Sequence, residues 1–206
     1  TKSYISSSTG SDAQLMLGYP KYVDQNRDGI LSEEDLIYLG NSDPVLYGGL
    51  QNTFNIGGLR IGFYFSYSLG GKIYNYSELA MAGGYATNQY RYMLDAWHPV
   101  RNPNSDIPRA GAKSDAALPS DFMIHDASYL RLKNVTLAYT FDLRKKCSWL
   151  RDLTLSVSGE NLFLWKKYNG FDPDVSSEGT SSTLRRMDLG AYPKPRTIIF
   201  SLQLRY

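Results

Sequence analysis

Apolar and polar residues alternate along much of this chain. From Leu59 to Leu69 it reads Leu-Arg-Ile-Gly-Phe-Tyr-Phe-Ser-Tyr-Ser-Leu. Leu59, Ile61, Phe63, Phe65, Tyr67 and Leu69 share one face, and Arg60, Gly62, Tyr64, Ser66 and Ser68 share the other. A helix would rotate these positions around its axis, whereas an extended strand keeps the two sets apart. Strands of soluble proteins usually run to about 5–6 residues; a tilted strand that crosses a bilayer needs about 9–11. The pattern returns in Leu46–Ile56, where Leu46, Leu50, Phe54 and Ile56 oppose Tyr47, Gln51, Thr53 and Asn55. In Tyr129–Phe141, Val135, Leu137, Tyr139 and Phe141 oppose Asn134, Thr136, Ala138 and Thr140. Leu153, Leu155 and Val157 alternate with Thr154, Ser156, Ser158 and Glu160. A last strand sets Ile198, Phe200, Leu202, Leu204 and Tyr206 against Thr197, Ser201, Gln203 and Arg205, with Ile199 as its one apolar exception.

The connections sort by length. Gly57-Gly58 predicts a two-residue hairpin turn, because glycine adopts positive φ without strain. Residues 142–151 form a moderate connection, while 71–127 and 165–194 are long. Short and long links that alternate place all long loops on one side of a membrane. Parity then puts Gly57-Gly58, the 142–151 turn and the C-terminus together on the other side. A soluble sandwich, with usual connections of about 4–6 residues, has no reason to sort them this way. The aromatic end at Tyr206 resembles the C-terminal insertion signal of bacterial outer-membrane barrels. The fold expected is all-β: antiparallel strands of a large transmembrane barrel over residues 46–206, preceded by a segment over 1–45.

Composition removes several classes. The 206 residues carry 22 Lys plus Arg and 20 Asp plus Glu, a net charge of +2, too even for a dedicated nucleic-acid binder. One cysteine, Cys147, excludes an internal disulfide scaffold and a cysteine-rich zinc site. No run of about 18 apolar residues exists, so no transmembrane helix is expected. The start, Thr1 to Ser8, lacks the long apolar stretch of a signal peptide.

The sharpest local motif is Asp24-Gln-Asn26-Arg-Asp28-Gly29-Ile30-Leu31-Ser32-Glu-Glu-Asp35. Side-chain oxygens stand at loop positions 1, 3 and 5, a glycine at 6, a backbone carbonyl from Ile30 at 7, and Asp35 at 12. That spacing wraps oxygen ligands around one calcium ion in a structural role, with Asp where Glu is usual. A solvated acidic turn is the competing reading, with Ser32 capping a short helix from Glu33 to Leu39. Enzyme constellations are thin. His98 and His125 are the only histidines, and no Gly-x-Ser-x-Gly nucleophile motif occurs. No catalytic role is expected. Aromatic residues near strand ends fit interfacial girdles. Trp165 and Tyr168, at the start of a long loop, and Trp97 are also candidates for stacking on a ligand.

Several blocks in order carry a family resemblance. They are Asp24-x-Asn-x-Asp-Gly with Gly40-Asn41 and Pro44, then Asn102-Pro-Asn-Ser-Asp-Ile-Pro-Arg109, then Ala127-Ser-Tyr-Leu-Arg-Leu-Lys-Asn-Val-Thr-Leu-Ala-Tyr139. Ser158-Gly-Glu-Asn-Leu-Phe163, Tyr168-Asn-Gly-Phe-Asp-Pro-Asp174 and Tyr192-Pro-Lys-Pro-Arg-Thr197 follow. From about Tyr22 to Tyr206 the chain resembles the C-terminal part of a SusC/RagA-like TonB-dependent outer-membrane transporter of the Bacteroidetes. Arg27 stands where the family often has Gly, and residues 1–21 match poorly. The resemblance implies a 22-stranded barrel with a plug, energised through the TonB complex and capped by a SusD-like surface lipoprotein. It implies import of oligosaccharides or peptides across the outer membrane of a Gram-negative bacterium, with the C-terminus periplasmic. Five strands cannot close a barrel, so the plug and remaining strands are expected in a longer polypeptide. The rival reading is a secreted β-rich carbohydrate-binding module with a dockerin-like calcium loop. It predicts a two-layer core that buries the Phe63 and Leu202 rows.

Overall fold

The computed structural model describes residues 3–4, 16–18, 22–30, 32–81, 88–109, 120–145, 147–175 and 186–206. The two long connections are therefore described in part. The chain divides into two compact units, one of residues 1–40 and 75–124, the other of residues 41–74 and 125–206.

The second unit is built on one five-stranded sheet. Its strands are β3 (Leu46–Ile56), β4 (Leu59–Leu69), β7 (Tyr129–Asp142), β8 (Asp152–Lys166) and β10 (Thr197–Arg205). They lie in the order β10-β8-β7-β4-β3, and every pairing is antiparallel. Each long strand therefore pairs with the next long strand in sequence, an up-and-down wall. The turn between β3 and β4 is Gly57-Gly58, as the pattern predicts. Gly57 takes φ 58°. Gly58 is needed for a different reason: a Cβ there would lie 2.5 Å from the Thr140 carbonyl oxygen of β7.

The ladder joins the apolar rows across strands. Phe54, Ile61, Leu137, Val157 and Phe200 are in register, and so are Ile56, Leu59, Tyr139, Leu155 and Leu202. These rows are exposed: Phe54 is 47% accessible, Phe200 81% and Leu202 64%. The buried apolar residues among those described are Ile73, Met93, Ala96, Met123, Ala127, Leu150 and Tyr168, none of them on the outward rows. No second layer covers the apolar face among the described residues. A contiguous oily sheet face of this extent is unstable in water, but it matches the hydrocarbon of a bilayer.

The opposite face is lined by hydroxyls. Thr140 and Thr154 are joined at 2.9 Å, and Thr136 and Ser158 at 3.1 Å. Simple alternation would send Leu130 and Leu132 to this polar face beside Asn134. A β-bulge prevents that. The register shifts between Leu132 and Asn134, so Lys133 is the extra residue, and Leu130 and Leu132 stay in line with Tyr67 and Phe65.

At the long-loop end, β5 (Lys72–Asn75), β6 (Ile124–Asp126) and β9 (Met187–Asp188) form a three-stranded sheet in the order β6-β5-β9. Ile73, Ala127 and Tyr168 form its small core, with Val175 packed against them.

The first unit holds the paired strands β1 (Ser3–Tyr4) and β2 (Met16–Leu17), the helix α1 (Tyr76–Met81) and short 3-10 turns. Trp97 lies against Gly18, where a Cβ would sit 2.4 Å from the indole. Burial pushes the Tyr92 phenol above its ordinary value, and the Glu78 carboxylate beside it adds to the shift.

Candidate functional site

The polar face of the wall carries an open recess of about 680 Å³ at its long-loop end, within the usual range of ligand sites, about 300–1,000 Å³. Strand glycines shape it. A Cβ at Gly49 would lie 2.6 Å from the Tyr64 ring and 2.8 Å from its hydroxyl. The glycine thus lets the ring of Tyr64 lie along the sheet. Gly48 does the same for Tyr67 on the opposite face, where a Cβ would lie 2.9 Å from the Tyr67 hydroxyl. Tyr47 and Tyr129 line the recess beside Ser66 and Ser68.

Two cations enter it from different elements. The bulge turns Lys133 toward the polar face, and its Nζ stands 5.8 Å from the centre of the Tyr64 ring. Arg186 comes from the 167–196 connection with φ 56°. Its Nη2 donates to Ser68 Oγ at 3.0 Å, and its carbonyl accepts from Tyr74 N at 3.0 Å. Its Nη1 is buried beside Gly71 and makes no hydrogen bond among the described residues.

Nearby carboxylates are already matched. Arg131 Nη2 donates to Asp172 Oδ1 at 2.5 Å, with side chains 3% and 2% accessible. The Arg131 guanidinium also lies 5.5 Å from the centre of the Tyr129 ring. Lys194 is paired with Asp174. Beside the recess, Ser128 donates to Asp126 Oδ1 through its hydroxyl at 2.5 Å and its backbone N–H at 2.8 Å. These bonds, the hydroxyl's first, hold the Asp126 carboxyl below the ordinary carboxylate range.

Of the sequence-derived ligand candidates, Trp165 and Tyr168 belong to the second unit and Trp97 to the first. Tyr168 is 2% accessible, belongs to the small core and donates its hydroxyl to Asp188 Oδ2 at 2.7 Å. Burial rather than ligand contact explains that ring. Trp165 is 52% accessible, stacked on Phe163 at 5.8 Å, and in line with Leu130 on the apolar face, which suits a girdle. The Trp97 indole donates to the Pro103 carbonyl at 3.0 Å. His98 Nδ1 accepts from the N–H groups of Val100 and Arg101, as a loop residue would.

The loop from Asp24 to Asp35 turns as its motif requires. Gly29 has φ 83° and Arg27 φ 62°. Asp24 accepts from Arg27 N at 2.6 Å and Gly29 N at 2.8 Å, and Asp28 accepts from Ile30 N at 2.7 Å. Ser32 and Asp35 form a reciprocal cap. The Ser32 and Gln25 N–H groups hold the Asp35 carboxyl below its ordinary value. The expected helix from Glu33 to Leu39 is only a 3-10 turn, Glu33–Asp35, because Leu36 leaves it with an extended ψ of 128°. The donors suit calcium by type. Among the described residues, however, no three carboxylate, imidazole or thiolate groups gather around one point, so the side chains of Asp24, Asp28 and Asp35 must turn to share an ion.

No family model matches the chain. It is 35% identical over 200 residues to TonB-dependent receptor P26 of Formosa agariphila, covering 93% of this chain and 20% of that protein. It is 26% identical over 193 residues to TonB-dependent receptor SusC of Bacteroides thetaiotaomicron, covering 90% of this chain and 17% of that one. Over about nine-tenths of its length the chain is thus similar to TonB-dependent receptors, SusC among them. It spans about a fifth of the length of the curated relatives it matches. Its fold is also that of part of the RagAB peptide importer in the "open-open" state, with TM-score 0.71 at 22% identity, over 100% of this chain and 22% of the other. The five strands of this SusC/RagA-like chain are therefore strands of an outer-membrane barrel. The relatives are named as receptors and an importer rather than as enzymes.

Proposed function

We propose that this chain supplies five membrane-crossing strands and substrate-side loops to an importer of oligosaccharides or peptides. The rest of the barrel, its plug, the TonB complex and a SusD-like lipoprotein complete it. The observation that carries the reading is the two-faced wall: oily rows exposed outward and a hydroxyl-lined, tyrosine-rich face opposite. Such a wall suits a barrel with lipid outside and a polar lumen inside. In this reading the long connections face outward from the cell, and the Gly57-Gly58 turn and the C-terminus face the periplasm.

Two measurements on the intact receptor in cells test this. With the native Cys147 replaced by Ser, a membrane-impermeant maleimide should label a cysteine at Val100 in whole cells, and one at Lys145, in the 142–151 turn, only after the outer membrane is opened. Equal labelling of both overturns the orientation. Deleting the receptor, or TonB, should abolish uptake of at least one labelled oligosaccharide or peptide pool; unchanged uptake of every pool refutes the importer reading.

Calcium in the Asp24–Asp35 loop is the second part of the proposal. Asp24, Asn26, Asp28, Asp35 and the Ile30 carbonyl would hold the ion, which would stiffen the loop. Terbium luminescence on the intact receptor checks it. Displacement by calcium, lost in Asp24→Ala, supports the site, whereas a signal unchanged by that substitution removes it.

A further inference from the structure

We propose that the recess on the polar face binds an acidic group, carboxylate or sulfate, carried on an oligosaccharide. The inference rests on the importer reading and narrows its substrate class. Among the described residues no ion pair joins Lys133 or Arg186 to a carboxylate: Asp172 is held by Arg131 and Asp174 by Lys194, and Asp43 lines the recess with them. Among the described residues, counting Lys133, Arg186 and Lys194 against Asp43 and Asp174, the recess and its rim carry one net positive charge.

The geometry adds direction to that charge. Arg186 lines the recess and is fixed there through Ser68 and Tyr74, with its Nη1 packed beside Gly71. A guanidinium held in place meets an anionic acceptor at the recess with charge-assisted hydrogen bonds at little ordering cost. Lys133 is aimed by a bulge, a device that commonly re-aims a side chain beside a site. Around the two cations, Tyr64 lies along the sheet over Gly49, and Tyr47 is 76% accessible. Flat aromatic faces and serine hydroxyls suit the apolar face and the hydroxyl rim of a sugar ring. An anion on that sugar would meet Arg186 and Lys133.

The test uses the purified intact receptor and immobilised probes. They are oligogalacturonides and sulfated galactan fragments, their carboxyl-reduced and desulfated counterparts, and acidic peptides. Acidic oligosaccharides should bind at least tenfold more tightly than their neutral counterparts at 0.15 M salt, and the gap should narrow as salt rises. The variant Arg186→Gln/Lys133→Gln should lose the gap while running as a folded barrel on unheated gels, and Arg186→Lys should restore part of it. Whether uronate or sulfate gives the tighter binding identifies the source of the anion. Equal binding of acidic and neutral sugars, a gap that survives the double substitution, or binding of acidic peptides alone overturns the proposal. Binding of no probe also overturns the proposal, while the importer reading stands or falls separately on the uptake measurement.

Discussion

Replacing Phe200 with arginine separates a lipid-facing wall from a soluble sheet. Phe200 is already 81% accessible in this chain. On a protein surrounded by water, an arginine there is a surface substitution, within about 0.5 kcal/mol of neutral. In a bilayer the outcome depends on depth. β10 has nine residues, Thr197–Arg205. At about 3.3 Å per residue and a tilt near 45°, it spans about 30 Å along its axis and about 21 Å of membrane thickness. Phe200 is the fourth of the nine, about 3 Å from the middle of the strand. Near the midplane a lipid-facing arginine costs about 2–4 kcal/mol, a factor of about 30 to 900 in the folding equilibrium. Ser201, its neighbour on the polar face, is the control. The assay is a urea series on the intact receptor in lipid vesicles, read as the folded fraction on unheated gels. Phe200→Arg should lower the midpoint sharply and Ser201→Arg only slightly. If Phe200→Arg is neutral, or Ser201→Arg is the worse of the two, the assignment of faces is wrong.

Three further outcomes follow from the same geometry. Asp172→Ala leaves the Arg131 guanidinium buried without a counter-charge, a loss of about 3–5 kcal/mol. Protease cleavage within 167–175 of the intact receptor should accelerate at least a hundredfold, and resistance equal to wild type would show that the pair does not hold this segment. Gly49→Ala forces the Tyr64 ring off the sheet, because Phe65 O lies 3.1 Å from the new Cβ on the backbone side. Affinity for an acidic oligosaccharide should drop at least threefold with barrel assembly unchanged; an unaltered affinity would show that the ring's seat is irrelevant to binding. Asp126 has its pKa lowered in the folded chain. Its contribution is therefore present above the ordinary carboxylate value, about pH 4, and is lost as pH falls below it. Hydrogen exchange at Gly70 N, which donates to Ser128 Oγ at 2.9 Å, should speed up below that pH in wild type but not in Asp126→Asn; the same acid response in both would remove Asp126 as its cause.

The wall was readable because its two faces meet different solvents, so each strand repeats the contrast at every second residue. The hairpin at Gly57-Gly58 and the five-strand order needed nothing more. Alternation failed where an extra residue entered: without a partner strand, nothing in Leu130-Arg-Leu-Lys-Asn134 marks Lys133 as the bulge. Gly48-Gly49 also resembles an ordinary turn signal, yet it lies inside β3 and seats one tyrosine ring on each face. The burial of Tyr168 is hidden from the sequence for a related reason. An aromatic at a loop entrance looks like a ligand platform until its burial and its bond to Asp188 are known, and that bond closes a separation of 20 residues.

Long-range bonds also hold loop residues beside the strands that build most of the recess, where Asp43, Pro44, Asp174 and Arg186 are the lining residues off the long strands. The 167–196 connection is tied to the wall at three places, Asp172 to Arg131, Arg186 to Ser68, and the Pro195 carbonyl to Asn161 Nδ2, and is closed on itself by Tyr168 and Asp188. The first pair is dry, so opening it means exposing or abandoning two charges at once. A loop anchored only at its ends would have to be ordered by the ligand, and that entropy would be subtracted from the affinity. For the described residues of the connection these contacts form on folding, while Lys133 rests 5.8 Å from the centre of the Tyr64 ring beside the recess. The same sequence thus commits Asp172, Asp174 and Asp188 to internal partners and leaves two cations for an external one.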